Sequence, residues 1–277
     1  MVKQGLRGQK GNTFIKYYIR SELLKTDMQL VHLSDIHIGS FFKQNVFDNI
    51  VYEVNSIIKP DVIIITGDLT DDGLLFQFQR ARAEVNKFHC SNVIVLPGNH
   101  DFRHTGHLLF NKFFPSPKQI YEFDNVILLT ITTARPDRDE GEVGYLQRSW
   151  MEKNVNKYFN NKLKIIAMHH HLVSIPDTGS DQKPILDAGD ILRTCISSRI
   201  SLVLCGHKHR PWLWNFGLLE IAYAGTASSN RYRGFFENAY NIINIKEQKI
   251  SIDIKIVGGK RFPVSRFNEN YIPSLGT

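Results

Sequence analysis

Five short polar clusters in the sequence contain residue types that bind divalent metal ions. They are DIH at 35–37, GDLTD at 67–71, GNHD at 98–101, HHH at 169–171 and GHKH at 206–209. Each cluster alone is a weak signal, because Gly-Asp and Gly-Asn, for example, are ordinary turn dipeptides. All five directly follow a short apolar run, however, and this shared position indicates one site assembled from distant segments.

The donor groups in these clusters suit a site for two divalent ions. Carboxylate, imidazole and amide oxygen favour ions such as Mn, Fe or Zn, whereas a purely structural zinc site would favour thiolates. A bridging carboxylate can hold two ions about 3.5–4 Å apart, the spacing used for in-line displacement at phosphorus. Two ions that share a water make a hydroxide nucleophile available near neutral pH and neutralise the phosphoryl oxygens in the transition state.

Alternating strands and helices are expected to position the five clusters. Strands are predicted at 28–34, 61–66, 92–97, 164–168 and 201–205, and helices at 46–59, 74–88, 145–158 and 188–199. Ligands of an open α/β sheet gather at the carboxyl ends of strands, so the five strand ends should converge on one patch. After Trp212 the pattern changes to strands at 219–225, 239–245 and 249–257, which would supply a second sheet.

Composition and charge favour one folded domain at 28–267, between a basic extension at 1–27 and a tail at 268–277. The 277 residues are 42% hydrophobic and carry a net charge of +7. Residues 1–27 contain six Lys or Arg and two Asp or Glu, a net +4, so the remaining 250 residues carry only +3. A net charge of only +3 over these 250 residues does not require that the folded domain bind nucleic acid.

The number of cysteines and the hydropathy of the sequence indicate the cellular compartment of the protein. The chain has only three cysteines, Cys90, Cys195 and Cys205. Their odd number and wide spacing exclude a disulfide framework and fit a reducing compartment, so we expect a cytoplasmic location. No apolar stretch approaches the roughly 18 residues of a membrane span, and the amino terminus lacks the apolar region of a secretory signal. Oligomeric state is left open.

The five clusters resemble the motifs of the calcineurin-like metallophosphoesterase superfamily, which are D-x-H, G-D, G-N-H-[DE], a His after a strand, and G-H-x-H. All five occur in that order between residues 35 and 209. The resemblance implies an α/β fold, a four-layer αββα sandwich of two mixed β-sheets flanked by helices, with a dinuclear metal site at strand carboxyl ends. It also implies the ligands. One ion would be bound by Asp35, His37, Asp68 and His209, and the other by Asp68, Asn99, His169 and His207, with Asp68 bridging.

The same resemblance implies roles for residues next to the ligands. His100 would stabilise the transition state or protonate the leaving oxygen, with Asp101 orienting its ring. His169 is the implied ligand of its triplet because it comes first after the apolar strand. Side chains alternate along an extended chain, so His171 is the alternative ligand and His170 lines the pocket or supports a ligand.

The motifs also narrow the reaction. "GDLTDDG" and "GNHD" differ from G-D-x-x-D-R-G and G-N-H-E of the related Ser/Thr phosphatases, and little chain remains after 212 for the capping domain of the related nucleases. The short core looks most like bacterial and archaeal phosphodiesterases, which include cyclic-nucleotide and glycerophosphodiester hydrolases. We therefore predict a phosphodiesterase for a small substrate, with Mn or Fe/Mn and with Zn as an alternative. The alternative functions are a phosphomonoesterase, a nucleotide-sugar pyrophosphatase and a non-catalytic protein-binding scaffold. The intact ligand positions and His100 argue against the scaffold only.

Specificity should come from segments over the site. The polar loops at 133–144 and 176–189 are long enough to cover it. Arg231 and Arg233 are candidates for pairing with a second phosphate or a base, or else they form a solvated turn. His104 and His170 are the other candidate substrate contacts.

Overall fold

The computed structural model describes residues 17–18, 27–157, 162–179 and 183–269. The strands are β1 (Tyr17–Tyr18), β2 (Met28–Leu33), β3 (Val62–Ile65), β4 (Val93–Val95), β5 (Gln119–Glu122), β6 (Val126–Thr130), β7 (Leu163–Ala167), β8 (Leu202–Cys205), β9 (Trp212–Asn215), β10 (Glu220–Tyr223), β11 (Ala239–Lys246), β12 (Lys249–Ile256) and β13 (Arg261–Pro263). The α-helices are α1 (Gln44–Tyr52), α2 (Leu75–Val85), α3 (Gly106–Phe113), α4 (Tyr145–Val155), α5 (Ala188–Ser197) and α6 (Val264–Glu269).

The strands form two mixed sheets. The six-stranded sheet has the order β13-β12-β11-β2-β3-β4, and β2, β3 and β4 run parallel in it. The seven-stranded sheet has the order β1-β5-β6-β7-β8-β10-β9, with β6, β7, β8 and β10 parallel. The sequences of these parallel strands are continuous apolar runs because both faces of each strand are covered.

Alternation along β2 and β3 shows how the layers stack. Leu30, Val62 and Ile64 share one core cluster with residues of the seven-stranded sheet. Their neighbours Val31 and Ile63 instead pack in a second cluster with side chains of α1 and α2. Helices α4 and α5 bury residues against the seven-stranded sheet. The order of layers is thus helix, sheet, sheet, helix, and the αββα sandwich is confirmed.

Some elements differ from those predicted. The helix expected at 46–59 is α1 followed by a π-helical segment, Glu53–Ile58, which ends at Lys59 in a left-handed conformation. Glu53 is buried there and accepts hydrogen bonds from the Tyr240 hydroxyl at 2.7 Å and the Gly258 N–H at 3.0 Å. We infer that these tertiary contacts stabilise the irregular turn. The sequence patterns did not predict strands β1, β5, β6, β9 and β13 or helices α3 and α6.

Most of the proposed extension and tail lies outside the described residues. Tyr17 and Tyr18 pair with β5, and α6 runs across residue 267. The domain boundaries therefore stay predictions. Every helix in the described part of the chain is too short or too polar to cross a membrane.

Candidate metal centre

The five polar clusters meet at the carboxyl ends of five strands. Three clusters follow β2, β3 and β4 in the six-stranded sheet, and two follow β7 and β8 in the seven-stranded sheet. The convergence expected from the sequence is therefore present. Because the clusters come from both sheets, the site lies where the carboxyl ends of strands from the two sheets meet.

The backbone of the site adopts conformations that side chains rarely take. Asp35, His37, Asp68, His207 and His209 have φ values of 56°, 55°, 51°, 71° and 54°. Such left-handed residues cost on the order of 1–3 kcal/mol each and cluster at functional sites, where surrounding contacts maintain them. One such contact is the His37 N–H, which donates to the Asp68 carbonyl at 2.9 Å.

Close packing explains the glycines that precede Asp68 and Asn99. A Cβ on Gly67, where φ is 101°, would lie 2.6 Å from the Gly98 nitrogen and 2.7 Å from His169 Nδ1. A Cβ on Gly98 would overlap the Asp68 carboxylate. The Gly-Asp and Gly-Asn dipeptides are therefore more than turn formers, because they let two loops pack against each other and against the His169 ring.

One half of the site groups Asp35, His37, Asp68 and His209, all of them buried. His37 Nε2 lies 3.1 Å from His209 Nε2 and 3.6 Å from Asp68 Oδ2. Asp35 Oδ1 lies 3.2 Å from His209 Nε2. Among the described residues, no group forms a hydrogen bond with this buried carboxylate oxygen.

The other half groups Asp68, Asn99, His169 and His207. His169 Nε2 lies 3.4 Å from Asp68 Oδ2 and 3.1 Å from Asn99 Oδ1. His207 Nδ1 lies 3.1 Å from the same Asn99 oxygen. Asp68 Oδ2 thus faces a histidine of each half, which is the position that a bridging carboxylate requires.

Hydrogen bonds on the outer side of three rings determine which nitrogen faces the site. The Nδ1 atoms of His37, His169 and His209 donate to the Asp71 carboxylate at 3.1 Å, to the Thr66 carbonyl at 2.7 Å and to the Arg231 carbonyl, respectively. These oxygens only accept, so Nδ1 carries the proton in each case. The neutral form of each ring therefore presents its Nε2 lone pair to the interior of the site.

This set of donor atoms fits divalent metal ions. The ligand atoms of Asp35, His37, Asp68 and His209 all lie within 4.8 Å of one another. Lone pairs and carboxylate oxygens at such distances repel one another unless positive charge lies among them. Imidazole, carboxylate and amide oxygen are ligands that Mn, Fe and Zn accept.

Burial and the Asp68 charge shift the pKa values of the site in different directions. Burial lowers the pKa of His37 and of His207 well below the usual range, so both rings are neutral at neutral pH. Burial also lowers the pKa of His169, but the Asp68 carboxylate outweighs it and the result is a pKa of about 9. Burial raises the pKa of Asp68, yet His169 and His100 outweigh this and hold it well below the usual range.

We expect metal binding in the His169 half to release a proton. With a pKa of about 9, the metal-free ring is protonated at neutral pH and must lose a proton to bind an ion, whereas His207 is already neutral. The apparent affinity should rise about tenfold per pH unit from pH 7 towards 9 and then level off. Titration calorimetry with Mn²⁺ at pH 8, in two buffers of different ionisation enthalpy, measures the release. Identical apparent enthalpies would contradict it.

The ring of His100 is held from two sides. Its Nδ1 donates to the Asp71 carbonyl at 2.6 Å, and Arg231 Nη1 donates to its Nε2 at 3.0 Å. The expectation that Asp101 orients this ring is not what the structure shows. The carboxylate of Asp101 instead accepts backbone hydrogen bonds from Leu69, Thr70 and Gly98. Asp101 therefore joins two ligand-bearing loops, and the Asp71 carbonyl orients His100.

Within the triplet, His169 faces the site while its neighbours have other contacts. His170 Nε2 donates to the Asp139 carbonyl at 3.1 Å, and the Thr133 hydroxyl lies 2.7 Å from its Nδ1. Both ring nitrogens of His170 are thereby engaged by the loop at 133–144. The His171 ring is buried and stacks on another histidine of the site.

Two predicted covering loops lie against each other and against the site. The loop at 133–144 contacts His170, as described. In the segment 176–189, of which residues 180–182 lie outside the described part, the Asp187 carboxylate accepts the N–H groups of Val143 and Gly144 at 3.1 and 2.8 Å.

The candidate substrate residues differ in their positions. Arg231 packs over the Phe41 ring at 5.1 Å and contacts His100, so its guanidinium lies at the edge of the metal centre. Arg233 is half-buried. His104 is exposed, and its backbone N–H donates to the Asp137 carboxylate at 2.6 Å. Substrate contacts by these residues stay predictions.

Sequence reasoning missed the residues that hold the ligands in place. Asp71 belongs to the GDLTD cluster and had no assigned role, although its carboxylate and carbonyl bind His37 and His100. Thr66 binds His169 through its backbone carbonyl. Any residue could supply this carbonyl, so the amino-acid type at position 66 does not indicate the contact. Asp139 lies in the loop at 133–144 and contacts Asn99. The two residues meet only when the loop is folded, so the sequence does not indicate the contact.

The chain belongs to the calcineurin-like phosphoesterase family, whose family model matches residues 28–211. Membership of this family makes the protein a phosphoesterase, a hydrolase, and its grouped His and Asp side chains could hold the divalent metal ions of such an enzyme. A match of this extent includes all five clusters.

Two named relatives agree with this assignment, and one solved structure shares the fold. A probable cyclic nucleotide phosphodiesterase of Xenorhabdus bovienii is 24% identical over 204 residues, which cover 68% of this chain and 81% of that protein. A probable glycerophosphodiester phosphodiesterase of Arcobacter nitrofigilis is 26% identical over 216 residues, covering 68% and 75%. The crystal structure of a dimetal phosphatase from Danio rerio has a TM-score of 0.62 at 13% identity and covers 86% of this chain and 98% of that one. The last likeness concerns the fold alone.

Proposed function

We propose that this protein is a phosphodiesterase for a small phosphodiester of the cyclic nucleotide or glycerophosphodiester type, and that it uses two divalent ions. The observation that carries the proposal is the position of Asp68 Oδ2, 3.6 Å from His37 Nε2 and 3.4 Å from His169 Nε2, between two groups of ligands. The names of the two relatives support a diester substrate. We favour Mn or Fe/Mn, with Zn as the alternative, because the ligands are nitrogen and oxygen atoms.

The proposed ligands are Asp35, His37, Asp68, Asn99, His169, His207 and His209. When bound, the two ions would activate a water for attack on phosphorus and offset the charge of the phosphoryl oxygens. The residues of the chain orient the groups around them. Backbone and carboxylate acceptors fix the ring tautomers, and the inward lone pairs would bind the ions.

His100 and Arg231 are proposed to act on the substrate. His100 Nδ1 is committed to the Asp71 carbonyl, so a proton for the leaving oxygen would have to come from Nε2. Burial lowers the pKa of His100, which leaves Nε2 without a proton next to Arg231. An anionic phosphoester bound between the two side chains would pair with the guanidinium and raise the pKa of the ring again.

The alternative functions use the same residues. A phosphomonoesterase or nucleotide-sugar pyrophosphatase needs the same ions, and differs in how the substrate fills the space under the covering loops. A protein-binding scaffold would not need the inward lone pairs described above. The cytoplasmic location also stays a prediction, which the three free cysteines fit.

Turnover of bis(p-nitrophenyl) phosphate and of p-nitrophenyl phosphate by the Mn²⁺-loaded protein tests the proposal. We expect kcat/KM to be at least about tenfold higher for the diester, a difference of about 1.4 kcal/mol in transition-state binding. Asp68→Asn serves as the control for contaminating hydrolases. Preference for the monoester would place the protein among the phosphatases. Hydrolysis of neither compound, with both metals bound, would favour a pyrophosphate substrate or a scaffold.

A further inference from the structure

We propose that Asp139 is a positioning residue for the metal ligand Asn99. Asp139 Oδ1 accepts a hydrogen bond from Asn99 Nδ2 at 2.9 Å. An amide whose nitrogen is held on the outer side presents its oxygen to the interior. Asn99 Oδ1 is indeed the atom that lies 3.1 Å from both His169 Nε2 and His207 Nδ1. The inference rests on the proposed metal centre but not on the identity of the substrate.

Contacts on both sides fix the position of Asp139, although its side chain is 63% exposed. Arg103 Nη2 donates to the same Oδ1 at 3.2 Å, and the Asp139 carbonyl accepts from His170 Nε2 at 3.1 Å. Gly141 lies so close to the His170 ring that a Cβ there would be 2.6 Å from Nδ1. The loop at 133–144 is therefore docked on two of the ligand-bearing segments, and Asp139 contacts a residue of each, Asn99 and His170.

The orientation of the Asn99 amide matters because its two ends have nearly the same shape and opposite chemistry. Half a turn about the last side-chain bond would direct the NH₂ group towards the ions, where it cannot coordinate and its hydrogens repel a cation. A hydrogen bond to a carboxylate is stronger than one to a neutral acceptor and favours the productive orientation before an ion binds. Asp139 should therefore raise the affinity of the ion that Asn99 binds, and leave the ion of the Asp35 half unaffected.

Stepwise Mn²⁺ affinities, measured by competition with a fluorescent chelator, test this without any turnover. Asn99→Ala first identifies which of the two affinities belongs to the Asn99 half. Asp139→Ala should then weaken that affinity about tenfold or more and leave the other within about twofold, as expected for the loss of a group that orients a ligand. Asp139→Asn keeps an acceptor oxygen and should retain most of the affinity.

Two controls separate positioning from effects on the loop or on net charge. Glu140→Ala removes an exposed acid from the adjacent position of the same loop and should change neither affinity. In the Asn99→Ala background, Asp139→Ala should have no further effect, because the group through which it acts is gone. Equal losses from Glu140→Ala, equal losses at both ions, or an undiminished effect in the Asn99→Ala background would each overturn the proposal. Unchanged affinities in Asp139→Ala would also overturn it, whatever substrate the protein hydrolyses.

Discussion

Asp68→Asn should abolish turnover and impair metal loading. Asp68 is buried, and its Oδ2 lies 3.6 Å from His37 Nε2 and 3.4 Å from His169 Nε2, so that it faces both halves of the centre. Asparagine has nearly the same shape but carries no charge, and one of its two terminal groups cannot bind a cation. We expect kcat to fall by at least about 10³-fold, because both ions depend on this residue.

The measurement combines metal content per chain with turnover of bis(p-nitrophenyl) phosphate. Asp61→Asn is the matched control, since Asp61 precedes β3 and Asp68 follows it. The Asp61 carboxylate accepts the Gln29 N–H at 2.9 Å and lies at the opposite end of the strand from the metal centre. Two tightly bound ions in Asp68→Asn would contradict the bridging role. Wild-type turnover in that variant would contradict the whole assignment of the site.

The position of the centre could be predicted because it depends on patterns within single segments. Each cluster follows an apolar strand, and the end of a buried strand is where ligands collect in an α/β fold. The family resemblance favoured His169 among the three adjacent histidines, whereas the alternation of side chains alone left His171 as the alternative ligand. The structure adds that His170 has both ring nitrogens engaged by Asp139 and Thr133.

Contacts between distant segments could not be predicted in the same way. Asp101 follows His100 directly, and the family resemblance implied a contact between its carboxylate and that ring. In the folded chain the carboxylate lies between the backbones of two loops, and the Asp71 carbonyl binds the ring. A backbone carbonyl leaves no mark in the sequence, so this partner was beyond sequence reasoning. Conversely, β6 has the apolar composition of a buried strand and was overlooked because no polar cluster follows it.

His100→Ala should lose most of the activity and keep both ions. The ring contacts the Asp71 carbonyl and Arg231, and Asp68 Oδ1 accepts the backbone N–H of His100 at 2.9 Å, a bond that alanine retains. We expect a loss of about 10²–10³-fold in kcat, typical of a positioned acid or base. His89→Ala, an exposed histidine that precedes β4 at its amino end, is the control and should be unaffected.

The leaving group distinguishes the two roles proposed for His100. p-Nitrophenolate is a stable anion that departs without protonation, whereas an alkoxide such as a ribose or glycerol oxygen needs a proton. If His100 protonates the leaving oxygen, the variant should lose far more activity towards an alkyl phosphodiester than towards bis(p-nitrophenyl) phosphate. If it stabilises charge on the phosphoryl group, the two losses should be equal, because that charge develops with either leaving group. Full activity towards both substrates would mean that the Nε2 atom, despite its position beside Arg231, takes no part in the reaction.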